Sequence, residues 1–213
     1  MSYHDSRLAY DTKRQTVWDS LWRYHFRHVV PRDGCVLDLG CGYGDFINAV
    51  EARRRIALDQ WDGFPAHVRP GVEPVIASVT DLTAIDDKSV DFAFASNLFE
   101  HVSQSEFATT LDGLRVKLTE RGCLAILQPN WRYAFREYFD DYTHVSVYSH
   151  VSLADFLRAH GWEVLDVRPR FLPLTVKSRL PVWPALIGMY LKSPFKPLGK
   201  QMLVTARPLK GAR

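Results

Sequence analysis

The chain has 213 residues, of which 46% are hydrophobic and 24% charged, and its net charge is +3. This length suffices for one well-buried domain over residues 1–213, and neither a linker nor a repeat divides it. No apolar run reaches the ~20 residues of a transmembrane helix, the N-terminus lacks the apolar core of a signal peptide, and no Cys-x-x-Cys pair is present. These features predict a reduced, cytoplasmic protein whose cysteines are small buried residues.

An amphipathic helix is predicted over about residues 11–29. Trp18, Leu21, Trp22 and Phe26 recur at three- and four-residue spacing, and a Pro-Arg-Asp-Gly segment follows. This pattern places the four side chains on one face of a helix and then ends the helix. We expect the helix to cap a sheet and one side of its cleft.

A strand, a glycine-rich turn and a second helix are predicted over residues 36–50. The strand is apolar except for Asp38, and it leads into Gly40, Gly42 and Gly44. Glycines let the backbone bend tightly and approach a ligand without a Cβ clash. Open α/β sheets bind ligands beyond the carboxyl ends of their strands, so this turn is predicted to hold a nucleotide.

The spacing is Gly-x-Gly-x-Gly rather than the Gly-x-Gly-x-x-Gly of dinucleotide sites. An acid followed by alternating glycines resembles the first motif of the class I S-adenosylmethionine-dependent methyltransferases. Asp38, Gly40, Gly42 and Gly44 match that motif position by position. The resemblance implies that these four residues bind S-adenosylmethionine and its product S-adenosylhomocysteine.

A second strand at residues 55–58 ends in Asp59, which is placed to bind vicinal ribose hydroxyls with its carboxylate. A third strand at 74–77 is followed by Asp81 and Leu82. The family places an acid at this point against the adenine amino group, so the resemblance implies that Asp81 and Leu82 contact the cofactor.

A fourth strand at residues 90–95 ends in Ser96 and Asn97, and the segment that follows resembles the part of the family that lines the methyl donor. Near the start of the first helix, Arg14 has two interpretations. It pairs with the methionyl carboxylate of the cofactor through a bidentate contact, or it lies on a solvated surface.

The second half of the chain is predicted to contain three further strands. A helix through Phe107 and Leu118 is expected to end at residues 120–122, before a fifth strand at 123–128. Ser152 is expected to cap a helix that Gly161 terminates. Two last strands follow at 162–167 and 201–206, separated by a basic apolar insertion at about 168–200.

The resemblance implies the fold. It is an α/β, Rossmann-like, doubly wound sheet of seven strands with helices on both faces. The sheet is mostly parallel, with one antiparallel strand, because the last two strands form an antiparallel hairpin in this family.

The loop after the fifth strand, residues 130–150, is expected to lie over the methyl donor. It holds the candidate bases Asp140, Asp141, His144 and His150. His144 is the first choice, with Asp141 as its orienting partner or as an acceptor for a substrate hydroxyl. Related members carry Asp directly before the loop histidine, whereas this chain has Thr143, which weakens an Asp–His pair.

Two further features of the candidate catalytic residues stay open. His101 is expected near the cofactor sulfur, where a functional role competes with hydrogen bonding that fixes the next helix. The spacing of Asp141 and His144 suits a divalent ion, but the sequence shows no third or fourth ligand, so no metal is predicted.

The charge is unevenly distributed. Residues 167–213, here called the basic tail, contain ten Lys or Arg and no Asp or Glu, so they carry +10 while the rest of the chain carries −7. Apolar and aromatic residues are interspersed. This composition suits an anionic partner such as a phospholipid surface or a phosphorylated lipid-linked substrate, and it equally suits a basic rim around packed elements.

Segments such as Pro129-Asn130 with the Asp-Tyr-Thr-His loop are similar to bacterial methyltransferases of surface-polysaccharide or lipid-linked glycan assembly. The predicted activity is therefore methyl transfer from S-adenosylmethionine to an oxygen of a small-molecule or lipid-linked glycan acceptor, with peripheral contact to the inner membrane face. The alternatives are a quinone or polyketide phenol acceptor, RNA as the weaker case, and a non-catalytic donor-binding partner subunit. The sequence gives no oligomeric state.

Overall fold

The computed structural model describes residues 12–173 and 183–209. Seven strands form one sheet: β1 Cys35–Leu39, β2 Arg54–Asp59, β3 Glu73–Ile76, β4 Val90–Ser96, β5 Leu118–Pro129, β6 Trp162–Pro173 and β7 Gly199–Pro208. Their order is β3-β2-β1-β4-β5-β7-β6. All neighbours pair in parallel except β7, which is antiparallel to both β5 and β6. The predicted seven-stranded sheet with one antiparallel strand is confirmed.

Six α-helices surround the described sheet: α1 Thr12–Tyr24, α2 Asp45–Ala49, α3 Gln104–Lys117, α4 Trp131–Ala134, α5 His150–Ala159 and α6 Pro184–Lys192. The core divides into two clusters. One contains the buried side chains of α3 and α5, and the other contains those of α1 and α2, with α6 packed against it. Helices therefore cover both faces of the sheet, as predicted.

The central strands are buried on both faces, which explains their continuous apolar sequences. Every residue of β1 is buried, and β1 lies between β2 and β4. Edge strand β3 is mostly exposed and contains Pro74, a residue that sheets tolerate at an edge.

The first helix is shorter than the predicted span of 11–29. It ends at Tyr24 and is followed by a 3₁₀ turn at Phe26–His28; residue 11 lies outside the described residues. Trp18 and Phe26 each make edge-to-face contacts with Phe46 and Phe94. These aromatic contacts hold α1 against α2 and β4, so the helix covers the sheet as expected.

The predicted end of α3 at residues 120–122 is wrong. The helix ends at Lys117, and Leu118 already belongs to β5. Gly122 lies within the strand, where a Cβ would stand 2.7 Å from the carbonyl oxygen of Val90. Gly122 therefore serves close strand packing instead of ending a helix.

The predicted N-cap of α5 is also wrong, by three residues. Ser149 is the N-cap: its hydroxyl accepts a bond from the Ser152 amide, and the Ser152 hydroxyl accepts one from the Ser149 amide. This reciprocal arrangement is a capping box, so Ser152 is the third residue of the box rather than the cap. Gly161, with a φ of 72°, follows the helix end as predicted.

The insertion between the last two strands is narrower than residues 168–200, because β6 continues to Pro173 and β7 begins at Gly199. Its described part contains α6, and residues 174–182 lie outside the described residues. Gly188 of α6 packs on the ring of Tyr24, where a Cβ would approach within 2.9 Å. Among the described helices, none has the length and hydropathy needed to cross a bilayer.

The capping assignment gives a stability prediction. Ser149→Ala should lower the free energy of unfolding by about 1 kcal/mol, because it removes the acceptor of the Ser152 amide. Ser152→Ala should cost less, since the Ser149 hydroxyl still caps the helix. Urea denaturation of both variants measures the difference, and an equal or larger loss for Ser152→Ala would contradict the assignment.

Candidate functional site

The glycine turn after β1 is held by main-chain hydrogen bonds to β2. The amides of Gly40 and Cys41 both donate to the carbonyl oxygen of Leu58, at 2.8 and 3.1 Å. Gly40, Gly42 and Gly44 have φ values of 63°, 53° and 68°. This left-handed backbone favours glycine, so the alternating glycines are required by the turn itself.

The three glycines differ in what surrounds them. A Cβ on Gly40 would stand 2.7 Å from Leu98, and one on Gly44 would stand 2.8 Å from Val68. A Cβ on Gly42 would meet no atom within 4 Å. The turn is therefore packed on protein at Gly40 and Gly44 and faces open space at Gly42, where a ligand can reach the backbone.

Asp59 is fixed beside this open space. One carboxylate oxygen accepts a hydrogen bond from the Gly42 amide at 2.8 Å, and the other accepts one from the Trp61 amide at 2.9 Å. The side chain lies at the end of β2 and is largely buried. Its position fits the predicted role of binding a ribose, because the carboxylate is oriented by two main-chain donors before any ligand arrives.

Asp38, the acid of the first motif, is fully enclosed. Burial raises the pKa of its carboxyl well above the usual range, the nearby Asp59 raises it further, and a hydrogen bond from the Ile47 amide opposes this. Asp38 thus connects β1 to α2 across the turn.

Arg14 lies at the turn, paired with Asp45. The two side chains form a salt bridge of 2.6 Å, and the guanidinium carbon is 5.8 Å from the centre of the Tyr43 ring. Burial raises the pKa of Asp45, and Arg14 opposes that rise. The structure therefore brings Arg14 next to the first residue of α2, a pairing that was not predicted from the sequence, with its charge balanced by a carboxylate.

The remaining predicted cofactor residues follow β3 and β4. Asp81 is exposed and accepts hydrogen bonds from the hydroxyl and amide of Thr83, which lower its pKa. Leu82 is a core residue. Asn97 has a φ of 49°. It donates to the hydroxyl of Ser96 at 3.1 Å and accepts from the Gln201 amide group at 2.8 Å.

Sequence reasoning missed an aromatic group beside Asp59. The Tyr43 ring centre lies 5.1 Å from that of Trp61 and 4.7 Å from that of His67, and Trp61 stacks on His67. The signal available in the sequence was an aromatic residue inside the glycine turn and a second one two residues after Asp59.

A second group of polar side chains lies after β4. Glu100, His101 and His144 each place one carboxylate oxygen or ring nitrogen within 4.8 Å of the others, and we call them the Glu–His–His cluster. The ring centres of His101 and His144 are 4.8 Å apart. The cluster lies near the glycine turn. Leu98 packs on Gly40, and Glu100 follows Leu98 by two residues.

The loop after β5 is tied to Glu100 through its backbone. The amides of Val145 and Ser146 both donate to the Glu100 carbonyl oxygen, at 2.8 and 3.1 Å. The Tyr138 hydroxyl donates to the Ser146 carbonyl oxygen at 2.6 Å. These bonds bring His144 to the cluster, beside the residues that follow β4.

Asp141 is connected to His101 through hydrogen bonds of Thr143. Asp141 accepts hydrogen bonds from the hydroxyl and amide of Thr143, at 2.7 and 3.1 Å. The Thr143 hydroxyl lies 2.9 Å from Nδ1 of His101. Because the single hydroxyl proton goes to the carboxylate, Nδ1 of His101 is the donor of that contact, and the lone pair of the neutral ring is on Nε2. Thr143 stands where related members carry Asp, and it is the residue that links Asp141 to His101.

Both imidazoles are neutral at pH 7. Burial lowers the pKa of His101 to about 4, with His144 adding to the effect. Burial also lowers the pKa of His144, although the Tyr138 backbone and Asp141 oppose this. Asp141 stays ionised: burial raises its pKa, but the bonds from Thr143 and the two histidines outweigh that effect and lower it.

Glu100 is the most unusual group of the cluster. Its side chain is completely buried, and neither carboxylate oxygen has a hydrogen-bond partner among the described residues. Burial raises its pKa to about 8, with Asp141 contributing. The sequence analysis did not single out Glu100, because nothing in the sequence shows that it faces two histidines.

The other loop candidates lie differently. Asp140 is exposed at the end of a 3₁₀ turn. His150 begins α5, with Nδ1 3.0 Å from the Asn130 amide nitrogen, and that nitrogen also donates to the Pro169 carbonyl oxygen. His150 therefore connects the loop to β6 through Asn130.

Comparisons with known proteins agree with this geometry. Residues 10–167 match the model of a family described as a methyltransferase domain. A search of curated proteins found no match. One similar solved structure is a complex between the Trm112 methyltransferase activator and a methyltransferase from Haloferax volcanii. It has 17% identity, complete coverage of both chains and a TM-score of 0.70.

Two further structures are similar. A SAM-dependent methyltransferase from Archaeoglobus fulgidus has 21% identity, covers 91% of this chain and 93% of its own, and has a TM-score of 0.64. The 1,6-didemethyltoxoflavin-N1-methyltransferase of Burkholderia thailandensis, solved with 1,6-didemethyltoxoflavin and S-adenosylhomocysteine, has 20% identity, coverages of 98% and 84%, and a TM-score of 0.64. At these identities the structures establish the fold alone. Because the family match spans most of the sequence, the chain belongs to the methyltransferase domain family.

Proposed function

We propose that this protein is an S-adenosylmethionine-dependent methyltransferase that acts on an oxygen of a small-molecule or lipid-linked glycan acceptor. The observation that carries the donor assignment is the Asp59 carboxylate held by the Gly42 amide at the open side of the glycine turn. A Cβ at Gly42 would occupy that open space, so the turn fits a ligand that lies against bare backbone.

The donor would be held along the carboxyl edge of the sheet. Asp59 would accept hydrogen bonds from ribose hydroxyls, Asp81 and Leu82 would lie near the adenine, and Ser96 and Asn97 would line the methionyl side. Arg14 would face the methionyl carboxylate from α1 while it stays paired with Asp45. S-adenosylmethionine supplies an electrophilic methyl group on its sulfonium.

The acceptor side rests on the two neutral histidines. A hydroxyl acceptor needs a group that takes its proton during methyl transfer, and a neutral imidazole can do so. His144 is the proposed base and His101 lies beside it, oriented by Thr143 and Asp141. The chain would contribute mainly by aligning the acceptor oxygen with the methyl carbon and by excluding water.

Exposed aromatic residues around the loop favour a ring-containing acceptor. Phe135, Phe139 and Tyr142 are exposed, and Trp131 contacts the first two. Their flat faces suit a sugar ring, and they suit the phenol of the alternative quinone or polyketide acceptor equally well. The glycan class therefore rests on the resemblance of the loop, and acceptor screening separates the two classes.

Peripheral contact with an anionic membrane is supported by α6. Ile187 and Leu191 pack against the core, whereas Leu186 and Met189 of the same helix are exposed. Exposed apolar side chains on a basic segment are typical of surfaces that bind anionic lipid.

A partner subunit is one further alternative. The activator in the Haloferax volcanii complex supports it: this chain would bind the donor and depend on the partner subunit for turnover.

The donor site is tested by a pair of matched glycine variants. Gly42→Ala should weaken S-adenosylhomocysteine binding by about tenfold or more, because the new Cβ enters the open space of the turn. Gly71→Ala is the control: it also replaces a glycine of positive φ, but its Cβ would meet only the flexible Arg55 side chain. Calorimetric titration measures binding, and thermal unfolding should show a similar loss of about 1 kcal/mol for both variants.

Two results would contradict the donor assignment. One is the absence of S-adenosylhomocysteine binding by folded wild-type protein. The other is equal affinity of Gly42→Ala and wild type. Asp59→Ala, which removes the carboxylate that the Gly42 amide binds, should lose binding in the same titration.

The acceptor side is tested by His144→Ala. Turnover should fall by about 100-fold, since the variant lacks the imidazole next to the acceptor, while S-adenosylhomocysteine affinity should stay within about twofold because the donor turn is intact. Transfer of a labelled methyl group to an acceptor found by screening hydroxylated glycans and phenols measures turnover. Full activity of the variant would exclude a role for His144, and a non-catalytic subunit would show no turnover in either protein.

Membrane contact is tested with the double variant Leu186→Glu/Met189→Glu. It should lose sedimentation with anionic vesicles, because it places two carboxylates on the exposed face of α6. Val116→Glu/Val151→Glu makes the same charge change at exposed positions of α3 and α5 and should sediment like wild type. Failure of wild type to sediment with anionic vesicles, or equal sedimentation with neutral ones, would overturn the hypothesis.

A further inference from the structure

The Glu–His–His cluster contains three buried side-chain atoms that have no hydrogen-bond partner among the described residues. Among the described residues, neither oxygen of Glu100 has a hydrogen-bond partner, and neither does Nδ1 of His144. Each of these atoms is buried. Buried polar atoms in folded proteins are nearly always bonded to protein, water or an ion. Their grouping around one point therefore indicates a partner that binds them together.

The chemistry of the three side chains defines that partner. A carboxylate and two neutral imidazoles offer lone pairs and no positive charge. An anion would offer these lone pairs no partner, whereas a divalent cation would accept a lone pair from both Glu100 and His144. Two histidines and one carboxylate are a ligand set of zinc and other first-row transition metals, while magnesium and calcium prefer oxygen ligands alone.

The surroundings of His101 suit a metal ligand. The Asp141–Thr143–His101 chain of hydrogen bonds fixes the ring and leaves its lone pair on Nε2. Metal-binding histidines are commonly held through their other nitrogen by a carboxylate, a carbonyl or a hydroxyl-bridged group of this kind. Thr143 and Asp141 would then be positioning residues for His101.

We infer that Glu100, His101 and His144 form a binding site for a zinc-like divalent transition-metal ion. The three donor atoms lie within 4.8 Å of one another, and ligands of tetrahedral zinc are about 3.4 Å apart. Small side-chain rotations bridge this difference. Three protein ligands leave a fourth position for another oxygen, as in catalytic zinc sites.

The role of the metal rests on the proposed function. With an acceptor hydroxyl at the fourth position, the cation lowers the pKa of that hydroxyl, so its proton is lost to solvent. The oxygen lone pair forms the new C–O bond, the S–CH₃ bond breaks, and its electron pair returns to sulfur, giving a methyl ether, S-adenosylhomocysteine and one proton. His144 is then a ligand and not the base, which still agrees with the loss of turnover expected for His144→Ala.

The site is tested by metal binding to the full chain, without donor or acceptor. Chelator-treated wild type should bind one Zn²⁺ in competition with a chromophoric chelator, and Co²⁺ should give the visible absorption of a four- or five-coordinate site. Glu100→Gln and His144→Ala should each weaken Zn²⁺ binding by at least about tenfold, and Thr143→Val by about tenfold through His101. His160→Gln, which removes a histidine at the end of α5, is the control and should bind like wild type.

Three results would overturn the inference: no Zn²⁺ or Co²⁺ bound by wild type, equal binding by wild type and Glu100→Gln, or loss of the metal in His160→Gln to the same extent. Circular dichroism of the same metal-free samples verifies that each variant is folded, and S-adenosylhomocysteine titration tests the donor assignment separately. If S-adenosylhomocysteine binds and the metal does not, the metal site fails and the donor assignment stands. The reverse result rejects the donor assignment and leaves the metal site.

Discussion

The hydrogen bond from the Gly42 amide to the Asp59 carboxylate joins the turn after β1 to the end of β2, and these two segments form the proposed donor site. Parallel pairing places Leu39 beside Leu58, so the residues that follow β1 and β2 emerge at the same edge of the sheet. Two further amides of the turn donate to the Leu58 carbonyl oxygen. The left-handed glycines direct these donors inward, which leaves the outer side of the backbone for a ligand.

The proposed acceptor side lies at the same edge of the sheet. Leu39 also pairs with Ala95 of β4, and the segment that follows β4 returns Leu98 to Gly40 before it reaches Glu100. The Glu100 carbonyl oxygen then accepts two amides of the loop after β5. The glycine turn, the cluster and the loop are therefore linked by the Leu98 side chain and by backbone hydrogen bonds, so a change of strand register would displace all three together.

The sequence was sufficient for features that depend on neighbours along the chain. The buried strands are continuous apolar runs, and the glycine turn is visible because its backbone conformation requires glycine. The sequence was insufficient for features decided by a contact between residues that are far apart along the chain. Gly122 looked like a helix terminator because the carbonyl of Val90 that excludes a side chain there lies on another strand. Asp141 was assigned to the adjacent His144, whereas its bonds to Thr143 lead to His101, a residue placed there by the fold.

The Glu–His–His cluster places a carboxylate and two imidazoles together beside an apolar core. A buried carboxylate without a partner destabilises a folded protein, and an apolar side chain of similar size would avoid that cost. Stability therefore gives no reason for Glu100, and the hydrogen-bond chain that orients His101 adds polar groups to a site that packing alone would fill with apolar ones. Groups that are costly to fold and specifically oriented are typical of sites that bind or react. The glycine turn carries the proposed donor site, and the oriented, unpartnered groups of the cluster are the reason for proposing a metal ion and the acceptor beside it.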